Sequence, residues 1–145
     1  MIGILGGMGP QATVDALNKL IKHTDAQYDQ EHIPTITVSI PDIADRTTAI
    51  QNKSDAPLLK MVEYIKILEK TPATCVIIPC NTAHYWLSQL QKQTHLPISM
   101  IDATVASIKT DRACILGTTG TLETKLYQTA CQKQGVTYTI PSAAL

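Results

Sequence analysis

Short apolar runs rich in β-formers alternate with helix-period segments along the whole chain, and this alternation leaves few folds open. Met1 to Leu5 reads as a strand ended by Gly6-Gly7. A helix follows from about Pro10 to His23, with proline in its first turn and Val14, Leu17, Leu20 and Ile21 on one face. Thr35 to Ile40 reads as a second strand, with Pro41 to Arg46 as the loop at its end, and Ala56 to Lys70 as a second helix. Thr74 to Ile78 forms a third strand running into Pro79, and a helix is expected from about Thr82 to Gln93. Pro97 to Ile101 reads as a short fourth strand, Asp102 as the cap of a short helix reaching about Lys109, and Ala113 to Leu116 as a fifth strand. The turn Gly117-Thr118-Thr119-Gly120-Thr121 then leads into a helix ending near Gly135, and Val136 to Ile140 is the last strand. The pattern predicts an α/β fold, a parallel sheet with helices on both faces and right-handed crossovers.

The plan repeats. Ile2-Gly3-Ile4-Leu5-Gly6-Gly7-Met8-Gly9 and Ala113-Cys114-Ile115-Leu116-Gly117-Thr118-Thr119-Gly120 are each an apolar strand, a glycine turn and the start of a helix. The repeat divides the chain into a first α/β domain over 1–111 and the start of a second over 112–145. A unit as small as the second cannot bury a core alone, so it has to pack on the first domain, on another chain or on further residues.

Composition narrows the function classes. A chain of 145 residues with 44% hydrophobic content suffices for one packed α/β domain and is too short for two full ones. Twelve basic residues balance twelve acidic ones and are spread evenly, which points away from nucleic acid and anionic membranes. No apolar run approaches the roughly 18 residues of a membrane span, and the first residues already read as a strand, so a cytoplasmic setting is expected. Without a signal peptide, Cys75, Cys80, Cys114 and Cys131 read as reduced thiols, and no CxxC pair suggests zinc.

Three of these cysteines read as small apolar fillers: Cys75 and Cys114 lie in strand patterns and Cys131 in a helical one. Cys80 differs. In Pro79-Cys80-Asn81-Thr82-Ala83-His84 it ends an apolar strand and precedes a helix that Asn81 or Thr82 can cap, where aligned amides favour a thiolate. A thiol at the carboxyl end of a parallel strand, in the usual ligand crevice of α/β sheets, is a candidate nucleophile or base. His84 reads as a solvated or packed residue. Arg46, one of two arginines, follows a strand end from which its guanidinium can reach the cleft and hold a carboxylate bidentately; the bland alternative is a surface ion pair with Asp42 or Asp45.

Ile4-Leu5-Gly6-Gly7-Met8-Gly9-Pro10, Asp45-Arg46-Thr47, the Cys80 motif and Leu116-Gly117-Thr118-Thr119-Gly120-Thr121, in that order, resemble the aspartate/glutamate racemase family, nearest to aspartate and broad-specificity amino-acid racemases. The resemblance implies two similar α/β domains facing across a cleft, no cofactor, one cysteine from each domain, and often a dimer. It implies that Cys80 is the first-domain cysteine, that Arg46 meets the side-chain carboxylate of aspartate or glutamate, and that the partner is a small-molecule substrate, an acidic amino acid. Inverting an amino acid requires removing the α-proton from one face and delivering another to the opposite face, so a thiolate and a thiol must flank the carbon. The carbanion between them spreads charge into the α-carboxylate, and donors aimed there stabilise the transition state. Asn81, Thr82, the amides around Gly7, Met8 and Gly9, and the turn containing Thr118 can supply those donors if their strands share a cleft edge; capping and turn duty is the competing role.

The second-domain cysteine of the family normally lies in a Gly-Cys-Thr-Glu type motif, and none occurs before Leu145. Cys114 and Cys131 do not substitute for it, so the chain is expected to be part of a longer racemase or a truncated product, inactive alone. Related maleate isomerases, arylmalonate decarboxylases and hydantoin racemases keep the fold and change the reaction. A different class comes from Gly7-Met8-Gly9-Pro10-Gln11-Ala12, which fits the dinucleotide fingerprint G-x-G-x-x-A, with Asp42, 35 residues after Gly7, as the nearest acidic residue at the end of the second strand to hold a ribose.

Overall fold

The structure is a computed structural model that describes residues 1–98 and 100–142. Its first sheet has three parallel strands in the order β2-β1-β3, with β1 Ile2–Gly6, β2 Thr35–Ser39 and β3 Cys75–Ile77. The register pairs Ile2 with both Thr35 and Cys75, so the three strands end on one side. Helix α1 (Pro10–His23) follows β1, and helices α2 (Arg46–Gln51) and α3 (Ala56–Leu68) connect β2 to β3. Ile4, Leu5, Met61, Ile65, Leu68, Val76, Ile78, Trp86 and Leu90 are fully buried among these elements, each side chain contributing about 1.5–3 kcal/mol. Trp86 satisfies its indole N–H on Asp55 Oδ1 at 2.9 Å.

A second sheet pairs β4 (Arg112–Cys114) with β5 (Thr137–Thr139), again in parallel. Its core is small: Ile101, Val105, Ile115, Ala130 and Cys131, drawn from α5 (Ile101–Ala106), the end of β4 and α7 (Leu126–Lys133). Between β4 and α7 lies α6 (Thr119–Glu123). Parallel sheets packed with helices make this the α/β fold that the alternation predicts.

Several elements differ from their expected forms, each for a local reason. Among the described residues, the expected fourth strand is reduced to one parallel bridge between Val76 and Ile98. Gln91 takes over strand duties there, since its amide donates to Leu96 O at 3.0 Å and its carbonyl accepts from Ile98 N at 3.0 Å. Ser99, within that expected strand, lies outside the described residues, as do 143–145 of the expected second unit. Residue 101 already opens α5, whose N-cap is Met100, so Asp102 sits in the first turn and does not cap.

The single helix expected over 82–93 is a 3₁₀ segment, Thr82–Trp86, followed by the short α4, Leu87–Gln91. Past the glycine-threonine turn the helix breaks at Lys125, which adopts φ 56° after Thr124 turns its hydroxyl back onto Gly120 O at 2.7 Å. Arg46 belongs to the first turn of α2 rather than to a loop, because Asp45 caps that helix through Thr48 N at 2.8 Å. The apolar stripe expected to bury α1 stays largely at the surface, with Val14 48% and Ile21 58% exposed; the residue α1 buries is Thr13. Its hydroxyl accepts from Gly7 N at 2.9 Å beneath the glycine turn.

Candidate active site

The loops leaving the carboxyl ends of β1, β2 and β3 meet the turn after β4 around one cavity of about 330 Å³. Met8, Arg46, Cys80, Asn81, Thr82 and Thr118 all line it, together with Ala12, Asp45, Thr47, Pro79, Gly117 and Thr121. Six residues spread over 110 positions are thus brought to one wall, because parallel strands deliver all their outgoing loops to the same edge.

Cys80 is half-buried and packs against the first core. Its amide donates to Ile78 O at 2.7 Å, so the residue sits in a tight turn just past the strand. The expected cap is absent: Asn81 occupies the N-cap position without a side-chain bond, because both candidate side chains are engaged by residues that follow β4. Asn81 Oδ1 accepts from Tyr127 Oη at 2.7 Å, which leaves the amide N–H₂ as the free donor. Burial pushes the Tyr127 phenol up, which keeps it protonated and donating. Thr82 Oγ1 lies 2.8 Å from Thr118 Oγ1 and 2.9 Å from Thr121 Oγ1, and those two are 3.1 Å apart. This ring of three hydroxyls ties the β3 loop to α6, with Thr82 and Thr121 buried and Thr118 open to the cavity.

Gly120 allows that approach. A Cβ there would lie 2.9 Å from both Thr47 Oγ1 and Thr82 Cγ2. Gly7, at φ 94°, passes so close to β2 that a Cβ would overlap the Ile40 backbone at 2.1 Å. Packing against the backbone just past β2 accounts for this fingerprint glycine, and Asp42 faces Lys60 at 4.0 Å.

Arg46 is the only basic residue among the described ones lining the cavity. Among the described residues it makes no ion pair; Nη1 donates to Ile43 O at 3.1 Å and Ala44 O at 3.2 Å. The Nε and Nη2 donors remain for a planar anion. Neighbouring Asp45 is held below the ordinary carboxylate range chiefly by the Thr48 amide, then by the Thr48 hydroxyl, so the rim carries one charge of each sign.

The other thiols follow expectation only in part. Cys131 is buried as a filler, Cys75 is half-buried, and Cys114 is exposed because the outer face of the two-stranded sheet has no covering layer among the described residues. None of the three lines the 330 Å³ cavity. His84, expected to be solvated or packed, is packed: it is 2% exposed, directly beneath Cys80. Tyr127 was not legible as a site residue, since nothing in its own neighbourhood signals contact with Asn81; Thr121 carried a signal only through the turn motif containing Thr118.

This geometry coincides with a family match. Residues 5–145 match the Asp/Glu/Hydantoin racemase family, and the chain belongs to that family. It is 30% identical to the broad specificity amino-acid racemase RacX of Bacillus subtilis (strain 168), covering 93% of this chain and 62% of that protein. Its fold superposes on Picrophilus torridus aspartate racemase with a TM-score of 0.85 at 31% identity, over 97% of this chain and 62% of that one. An aspartate racemase homologue from Pyrococcus horikoshii OT3 shares the fold at TM-score 0.78 and 21% identity, over 98% of this chain and 64% of that one. The chain therefore spans a little over three-fifths of the length of these relatives. No helix among the described residues is long and apolar enough to cross a membrane.

Proposed function

We propose that the 330 Å³ cavity is one wall of an amino-acid racemase active site in which Cys80 exchanges the α-proton of an acidic amino acid. The observation that carries the reading is the convergence of Cys80, Arg46, Asn81, Thr82, Met8 and Thr118 on that single cavity. Cys80 acts as base in one direction and as acid in the other. The free amide of Asn81 and the hydroxyl of Thr118, the exposed member of the Thr82–Thr118–Thr121 ring, donate toward the α-carboxylate, where charge grows as the proton leaves; Thr82 and Thr121 hold Thr118 in place. The open edge of the Arg46 guanidinium pairs with the substrate's side-chain carboxylate, which selects aspartate or glutamate. Proton delivery to the opposite face requires a second acid/base group, and no second cysteine among the described residues lines the cavity. In this reading the reaction is cofactor-independent, since a thiol by itself can take the α-proton and return it.

The test is deuterium incorporation at Cα of L- and D-aspartate and glutamate in D₂O, with the chain in its full natural context. Exchange with either acid that is lost in Cys80→Ala supports the reading. Full-context protein that exchanges neither acid refutes it.

A further inference from the structure

The carbonyl of Cys80 has an unusual donor. In an α-helix starting at Asn81, the His84 amide would donate four residues back to Cys80 O. The segment is 3₁₀ instead, and His84 N donates to Asn81 O at 3.1 Å, which leaves the Cys80 carbonyl without a backbone donor among the described residues. The His84 ring replaces it, with Nδ1 2.9 Å from Cys80 O. A carbonyl only accepts, so Nδ1 carries the proton, and in the neutral ring Nε2 is then a bare acceptor. Nε2 is buried and has no partner among the described residues. Burial pushes the imidazole below its ordinary range of 6.5, which keeps the ring neutral. The opposite tautomer would set a nitrogen lone pair against the carbonyl oxygen. The unpaired nitrogen is therefore the consequence of the one tautomer that holds Cys80 from below.

We propose that His84 is a positioning residue: as the neutral Nδ1–H tautomer it clamps the Cys80 carbonyl while Ile78 O clamps the Cys80 amide, and together they fix the thiol on the cavity wall. Its purpose rests on reading Cys80 as the proton-transfer group, but the clamp itself is measurable without turnover. Side-chain ¹⁵N NMR of the unsubstituted protein at pH 7 should show a protonated Nδ1 and an unprotonated, pyridine-like Nε2. Iodoacetamide labelling, followed peptide by peptide, gives the second readout. His84→Asn keeps a donor near the Nδ1 position and should label Cys80 within about twofold of the unsubstituted rate, whereas His84→Leu lacks the donor and should fall about fivefold or more. Cys114 labelling should not change in either variant. In the full-context protein, His84→Leu should lower kcat for aspartate with KM unchanged, and His84→Asn should restore it.

A protonated Nε2 at pH 7, or equal Cys80 labelling in the Leu and Asn variants, overturns the proposal. If His84→Leu fails to fold, the tautomer of the unsubstituted protein decides alone. If the tautomer and labelling are as expected but no protein exchanges Cα protons, the racemase reading fails and the clamp stands.

Discussion

The region around β1 to β3 and the region around β4 and β5 repeat one plan but bury it to different depths. Ile4, Leu5 and Val76 of the first sheet are fully buried, whereas Arg112 and Cys114 of the second are exposed and only five residues form its core. Each glycine turn nevertheless rests on a threonine of the following helix, Gly6 on Thr13 and Gly117 on Thr121. The difference teaches a division of labour. The deeply packed region holds the thiol, the guanidinium and the Cys80 clamp, while the shallow region contributes hydroxyls and a phenol that touch the site without anchoring it. A group that must keep one orientation belongs on the better-buried backbone.

The strongest test of that division removes a group from the packed side. Cys80→Ala should lower Cα deuterium exchange in the full-context protein by about 10²–10⁴-fold, the usual worth of a positioned acid/base group. Thr118→Ala, on the shallow side, should cost far less. Comparable losses would erase the distinction. Arg46→Ala should raise KM for aspartate by roughly 10- to 100-fold, since a charge-assisted bond contributes about 1.5–3 kcal/mol, with a smaller effect on kcat. Steady-state kinetics with aspartate and with an uncharged amino acid separates this from a general defect, because only the acidic substrate should suffer.

The seam between the regions is tested by Gly120→Ala. Its new Cβ would press on Thr47 and Thr82, and we expect destabilisation of about 1–3 kcal/mol by urea unfolding. Unchanged stability would mean that α6 yields easily. A smaller effect is expected from acid. Because His84 is held below 6.5 by burial, the unfolded chain binds more protons than the folded one, so stability is full above pH 6.5 and falls as pH drops below it. Asp102 and Lys133 share a cavity of about 270 Å³ with His84 and are the charged groups across from it. Glu69, lowered to about 2 chiefly by its bond from the Thr94 hydroxyl and then by Lys66, adds a separate loss between pH 4.5 and 2. Urea midpoints against pH should lose the first component in His84→Asn and keep the second.

Much of this was legible in the chain because it is local. The strand, glycine turn and helix around Gly6 and Pro10 follow from apolar runs, a proline at a helix start and residues that tolerate positive φ. The Cys80 motif was visible for the same reason, with a β-rich run ending in polar residues. The α1 stripe misled because periodicity marks an apolar face without saying what covers it. The failed fourth strand and the broken helices turned on single side chains, Gln91 and Thr124, that satisfy backbone groups otherwise free to extend the element.

By itself the sequence determined the first three strands and the helices that follow them, the parallel sheet and a set of candidate site residues, since these depend on neighbours within a few positions. Only the tertiary structure decided that Thr82 would meet Thr118 and Thr121, that Tyr127 would orient Asn81, and that the His84 ring would take the place of a backbone amide under Cys80. Those contacts join elements or replace hydrogen bonds that a short-range pattern treats as already made, and the choice between them is settled by packing across the whole chain.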